Sequence, residues 1–208
     1  MRKIIVCGAG GAGREVIDMI ESMNGDSRWE IIGFSDAEWF NGQKVNGYPV
    51  MSEGDLLNFP EQIDAVISVG SPAAREKIFE KFKKNPNVSF PPIVHPSSHV
   101  ARGAVLSEGV LITGFCSVSP NTTLGKGVFL NGYCVVGHDT KIGDFSSLMS
   151  FSMIAGNVNM GKRILSGAGS VVVQGLNIGD DVLLCAGSVV VRDVKESAKM
   201  MGNPARSI

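Results

Sequence analysis

The chain of 208 residues and 22.0 kDa carries 19 basic and 20 acidic side chains, a formal charge of −1. That balance gives no net pull towards nucleic acid or acidic lipid, and 44% hydrophobic with 19% charged residues excludes a disordered chain. Glycine is in excess, 26 of 208 against an average of about 7%, which implies many recurring turns.

Met1-Arg2-Lys3 leads into Ile4-Ile5-Val6-Cys7, an apolar run that Gly8 ends too early for a signal peptide. No stretch reaches the roughly 18 apolar residues of a membrane span, so a soluble, cytoplasmic protein is expected. Cys7, Cys116, Cys134 and Cys185 lie far apart with no Cys-x-x-Cys pair. Small buried thiols in a reducing compartment are expected, rather than a disulfide framework or a zinc site.

Up to about residue 85 the pattern alternates strand and helix. Ile4-Ile5-Val6 reads as a strand ended by the loop Gly8-Ala9-Gly10-Gly11-Ala12-Gly13. Val16, Ile17, Met19, Ile20 and Met23 then recur at helical spacing up to an Asn24-Gly25 stop. Trp29 to Phe34 is a second strand and Ala65 to Val69 a third, closed by Gly70. Ser71-Pro72 caps and starts a helix whose apolar stripe is Ile78, Phe79 and Phe82. This alternation predicts a small parallel sheet, a Rossmann-like half, over residues 1–90. Lys81, Lys83 and Lys84 read as a solvated helix end. Pro91-Pro92, with Pro86 and Pro96 around it, reads as a stiff linker.

From residue 91 to 208 the helical period gives way to a period of six. Stepping by six from Val94 to Val190 gives seventeen positions, all aliphatic or Met except Ser166. Such hexads form parallel β-helices. Three hexads close a triangular coil of eighteen residues, so Leu106 stacks under Leu124, Ile142 and Met160, with coils about 4.8 Å apart. A prism filled by one aliphatic side chain per side leaves little room inside for a ligand. Chemistry belongs on its outer faces or between neighbouring prisms.

The glycine loop fits Gly-x-Gly-x-x-Gly between a strand and a helix, with Asp36 some two dozen residues on, a phosphate-cradling arrangement. Roughly 85 residues give only about half of a full dinucleotide-binding domain, which weighs against an NAD-dependent enzyme. His138, two residues after the inward Val136, sits near a coil corner with Asp139 beside it. A neighbouring carboxylate raises imidazole basicity and fixes its tautomer, as a general base requires.

These features together resemble a known family. The hexad array and the ending Gly202-Asn203-Pro204-Ala205-Arg206 resemble left-handed β-helix acyltransferases of the hexapeptide-repeat type. The opening Ile4 to Gly13, Gly33-Phe34-Ser35-Asp36, Gly70 to Arg75, Ile93-Val94-His95-Pro96 and Val136-Gly137-His138-Asp139 extend the likeness over the whole chain. They resemble bacterial sugar acetyltransferases with a nucleotide-sugar-binding N-terminal domain, of the sialic-acid O-acetyltransferase-like and UDP-4-amino-sugar N-acetyltransferase-like kinds. The chain departs from the family at Ala12 and Ala37, where relatives carry His and an acid.

The resemblance implies an acetyl-CoA-dependent transfer to an amino or hydroxyl group of a nucleotide-linked sugar, without an acyl-enzyme. It implies His138 and Asp139 as base and orienting acid, and Gly156 as donor of the N–H that steadies the oxyanion. The loop residues Gly10, Gly11 and Ala12, with Asp36 and Gly70, would bind the nucleotide sugar; Ser147, Ala168 and Ala186 would contact acetyl-CoA. His95 is assigned to the domain junction. A homotrimer with sites at its interfaces and no metal is expected. A non-catalytic binding or scaffold protein is the competing reading, and a metal-dependent hydratase like the γ-class carbonic anhydrases is weaker, because the prism offers only His138.

Overall fold

The computed structural model describes residues 1–23, 29–37 and 42–208. The expected Asn24-Gly25 helix stop lies outside them. The N-terminal unit is a six-stranded sheet in the order β3-β4-β2-β1-β5-β6, built from β1 (Arg2–Cys7), β2 (Trp29–Ser35), β3 (Lys44–Val45), β4 (Tyr48–Met51), β5 (Ile63–Ile67) and β6 (Val88–Ser89). Only β3 and β4 pair antiparallel. Helix α1 (Gly11–Ser22) turns Val16, Ile17, Met19 and Ile20 inward. Helix α2 (Glu53–Leu57) is capped by the Ser52 hydroxyl and α3 (Pro72–Phe82) by that of Ser71.

Two elements carry no long apolar run and are not expected from hydrophobic pattern. The β3–β4 hairpin turns on Asn46-Gly47, both at positive φ (50° and 86°), the dipeptide that favours a tight primed turn. Helix α2 spans five residues, too short for a period to show. Strand β5 also begins two residues before the apolar run, because Asp64 is buried and held by Arg2 at 2.6 Å, Ser89 at 2.6 Å and Trp29 at 2.8 Å. It ends at Ile67; the next residue, Ser68, donates both its N–H and its hydroxyl to the Cys7 carbonyl at 3.0 Å.

From Ile93 to Val190 seventeen two-residue strands wind into a three-sided parallel β-helix. Leu106, Leu124, Ile142, Met160 and Ile178 face each other in register up one side, as the six-residue period requires. Ser166 fills its inward position as a buried hydroxyl, bonded to Ser170 at 2.6 Å. The chain closes with β24 (Lys199–Gly202) and β25 (Ala205–Ser207), an antiparallel pair joined through a cis Asn203–Pro204 bond.

The three outer faces differ in chemistry. The first carries Ile93, Leu111, Phe129 and Ser147, all buried beneath the α/β unit. The second presents Val135 and Met153, 39% and 46% exposed, with Val171 and Val189 half-buried. The third is mostly polar, with Thr123, Lys141, Asn159 and Asn177. Phe90 is buried, and its ring lies 4.5 Å from that of Phe79. The junction is therefore anchored in the seam by Phe90 and Ile93, while Pro86, Pro92 and Pro96 are exposed.

Candidate active site

Two regions assemble the residues singled out in the sequence. The first lies at the carboxyl ends of β1, β2 and β5, beside the β1–β5 boundary where the strand order reverses and open parallel sheets bind ligands. Here Cys7, Gly8, Gly10 to Gly13, Ser35, Asp36 and Ser68 line a cavity of about 380 Å³. Gly8 has φ +107°, and a Cβ on Gly13 would stand 1.9 Å from the Gly8 carbonyl oxygen, so the fold itself demands these two glycines. Gly10 is different. Its backbone is extended, and a Cβ there would meet nothing within 4 Å.

Gly10 caps α1 with no side-chain bond, and no acid stands in the first turn, so the helix N-terminus opens towards an anion. Asp36 accepts the Ala9 N–H at 2.7 Å and so shapes the loop. The Ser35 hydroxyl is buried at the cavity wall and has no partner among the described residues; the sequence placed Ser35 in the Gly33-to-Asp36 strand end without a role. Gly70 lies outside this lining. Its carbonyl accepts from Ser147 at 2.7 Å, across the seam with the prism.

The second region is a corner of the prism. His138 follows β14 (Val135–Val136) and precedes β15 (Lys141–Ile142). Its Nδ1 lies 2.8 Å from Asp139 Oδ2, while Asn121 donates to Asp139 Oδ1 at 2.9 Å. Asn121, Asp139 and Asn157 occupy one corner position of three successive coils, with φ of 60°, 58° and 55°. Asp139 is therefore fixed from two sides. The hydrogen bond from His138, and next that from Asn121, hold its carboxyl below the usual carboxylate value. With Nδ1 bonded to the carboxylate, the lone pair falls on Nε2, the nitrogen free to take a proton. Asn121 is absent from the motif reading, although counting back one coil from Asp139 finds it.

Gly156 sits one coil above His138, and its N–H makes no hydrogen bond within the chain among the described residues. Ala168 and Ala186 are exposed at another corner, stacked so that the Gly187 N–H bonds the Ala168 carbonyl at 2.8 Å. Ser147 is fully buried, its hydroxyl engaged with Gly70. His95 bonds Ser97 at 2.6 Å beside the junction. Among the Lys81–Lys84 cluster, Lys81 pairs with Glu53, and Lys83 with Glu108 at 2.7 Å.

A smaller cleft of about 200 Å³ between α1 and the prism is lined by Glu15, Asp18, His95, Thr113, Asn131 and the ring of Phe115. Motif reading gave no hint of it, because its members come from four separate segments of chain. Among the described residues no three His, Cys, Asp or Glu side chains gather as a metal site would need, and no helix is long and apolar enough to cross a membrane.

Residues 3–82 match the PglD N-terminal domain family. No curated protein matches the chain. Among solved structures, the acetyltransferase domain of PglB from Neisseria gonorrhoeae, in complex with acetyl coenzyme A, is similar at 31% identity and TM-score 0.91, over 100% of this chain and 99% of that one. A perosamine N-acetyltransferase variant from Caulobacter crescentus, in complex with CoA and GDP-perosamine, is 26% identical with TM-score 0.92, over 100% and 97%. WeeI from Acinetobacter baumannii is 27% identical with TM-score 0.92, over the full length of both.

Proposed function

The chain belongs to the hexapeptide-repeat sugar acetyltransferases that join a PglD-type N-terminal domain to a left-handed β-helix, and from that premise we propose that it transfers acetyl from acetyl-CoA to the amino group of a nucleotide-linked sugar. The observation that carries this reading is the His138 corner: Nδ1 tied to a doubly held carboxylate, Nε2 free, and an unpaired Gly156 N–H on the next coil.

The nucleotide sits in the cavity of the α/β unit. Its phosphates meet the bare loop at Gly10, Gly11 and Ala12 and the N-terminus of α1, and Asp36 holds the loop in shape. Gly70 contributes indirectly, as the neighbour of Val69, which lines the cavity, and as the partner of Ser147. An amine acceptor is favoured over a hydroxyl because Glu15 and Asp18 flank the smaller cleft, where a cationic sugar would be attracted before it gives one proton to solvent and reacts as the neutral amine. The solved relative from C. crescentus is itself a perosamine N-acetyltransferase in complex with GDP-perosamine.

For chemistry, the acceptor nitrogen must lose a proton as it attacks the thioester carbonyl. His138 Nε2 takes that proton, and the imidazolium formed is stabilised by Asp139. The Gly156 N–H donates to the oxyanion of the tetrahedral intermediate. Collapse breaks the carbon–sulfur bond and releases the CoA thiolate, which the imidazolium can reprotonate, so no acyl-enzyme forms. Ala168 and Ala186 leave a track of small side chains on which the CoA arm can lie, and Ser147 supports the seam instead of touching the arm.

His138 is 57% exposed in a single chain, so its cleft is open on one side. The second face, with Val135, Met153, Val171 and Val189, supports a trimer in which a neighbouring prism closes that side. Incubation with acetyl-CoA and a series of nucleotide amino sugars tests the reading by thiol release and by the mass of the product. Acetylated nucleotide sugar is expected; thiol release without it would reject the acceptor class.

A further inference from the structure

Arg75 is the largest of the fully buried side chains, and among the described residues no acidic group offsets its charge. Every bond it makes runs to a main-chain carbonyl. Nε donates to Gly127 O at 2.6 Å, and Nη2 to Phe145 O at 2.6 Å and Ser146 O at 3.0 Å. Nη1 donates to Val69 O at 2.6 Å and Gly70 O at 3.4 Å. Sealing a seam does not need a cation there. The Phe129 ring lies 5.8 Å from the guanidinium carbon, but a buried charge without a carboxylate partner is costly, and an apolar side chain of that volume would close the same gap more cheaply.

The partners of Arg75 show what the fork accomplishes. Gly127 and Phe145 hold the same corner position on successive coils, and the single coil between them runs through β13 (Phe129–Leu130), β14, His138, Asp139 and β15. The guanidinium thus brackets the coil that carries the imidazole. Its remaining nitrogen holds Val69, which lines the nucleotide cavity, and Gly70, which Ser147 straps a second time. Three of the five carbonyls belong to the prism and two to the α/β unit, so the fork ties the two together at the level of this coil.

We propose that Arg75 is a positioning residue: it fixes the nucleotide cavity at the level of the coil bearing His138, and so sets where the acceptor amine arrives along the prism. In a trimer of parallel prisms the levels coincide, so the register holds whichever copy supplies the imidazole. This rests on the acceptor and the base proposed above. A shift of about 1 Å in the presented amine is enough to cost roughly a hundredfold in rate.

The test compares Arg75→Met, which keeps the volume, and Arg75→Lys, which keeps the charge without the fork, against the full-length wild-type protein. Both are expected to lower kcat on the nucleotide sugar by about tenfold or more, with the KM for acetyl-CoA changed by less than about twofold. Unchanged kcat in either folded variant, or an equal rise in both KM values, overturns the proposal. If Arg75→Met does not fold, Arg75→Lys is read alone by the same criteria. Amide hydrogen exchange over residues 64–71 reads the clamp without turnover: faster exchange in the variants is expected, and unchanged exchange overturns it. A wild-type protein that transfers no acetyl would reject the functional reading, while the exchange result would still decide the clamp.

Discussion

Gly156 lies directly over the ring of His138: a methyl group on its Cα would stand 2.6 Å from Nε2 and 2.7 Å from Cε1. The backbone of Gly156 does not need a glycine, since its φ lies outside the left-handed region. The ring below it does. The glycine lets the imidazole lie flat against the next coil, which brings Nε2 beside the N–H proposed to hold the oxyanion.

Gly156→Ala therefore separates geometry from fold. The obstructing atoms belong to an exposed ring that can swing away, so the melting temperature should change little. Displacement of the base by about 1 Å should lower kcat roughly a hundredfold. Steady-state kinetics beside a thermal melt checks both halves. A variant of normal activity would mean that the ring position seen here is not the working one.

Asp139→Asn tests the orienting acid. It should reduce kcat by less than loss of the base itself, which is worth about 10²–10⁴. The pH dependence has a definite sign. The Asp139 carboxyl is held low, first by His138 and then by Asn121, so its contribution to stability is present above the ordinary carboxylate value and lost as pH falls through the lowered one. The stability gap between wild type and Asp139→Asn should be small, flat near neutral pH, and closed in strong acid. Denaturant midpoints across a pH series measure it; a gap that widens in acid would contradict the hydrogen-bond assignment.

Gly10→Ala addresses the nucleotide loop. Because an added Cβ meets no protein atom within 4 Å, the fold should tolerate it. A phosphate approaching the loop would not, and a loss of about 1.4 kcal/mol raises the KM for the nucleotide sugar about tenfold. The KM for acetyl-CoA should stay the same. An unchanged nucleotide-sugar KM would move the phosphates away from this turn.

Met153→Lys places a charge in the middle of the exposed apolar face. Sedimentation should show the assembly reduced to single chains, with turnover falling in parallel, because the open side of the His138 cleft loses its neighbour. A variant that stays assembled and active would put the interface on another face.

Much of this was legible because the prism obeys a strict rule. One inward side chain every six residues fixes register, coil length and the stacking of Leu124 on Leu106 before any coordinate is known. His138 and Asp139 were readable as neighbours in sequence, and the loop from Gly8 to Gly13 as a turn between strand and helix. What pattern did not show are relationships made by packing at long range. Asn121 reaches Asp139 only through the coil repeat, Asp64 is buried because Arg2, Trp29 and Ser89 satisfy it, and Ser147 meets Gly70 across 77 residues of chain. Arg75 matched a motif position in the sequence, but its role depends on five carbonyls that no motif encodes.

The most direct measurement compares wild type with His138→Ala, both supplied with acetyl-CoA and a nucleotide-linked amino sugar, by following acetylated product. The expected result is efficient transfer by the wild type, with a His138→Ala protein that is folded, binds both substrates and turns over at least about a hundredfold more slowly. Equal rates for the two proteins would contradict the assignment of the base and the mechanism built on it.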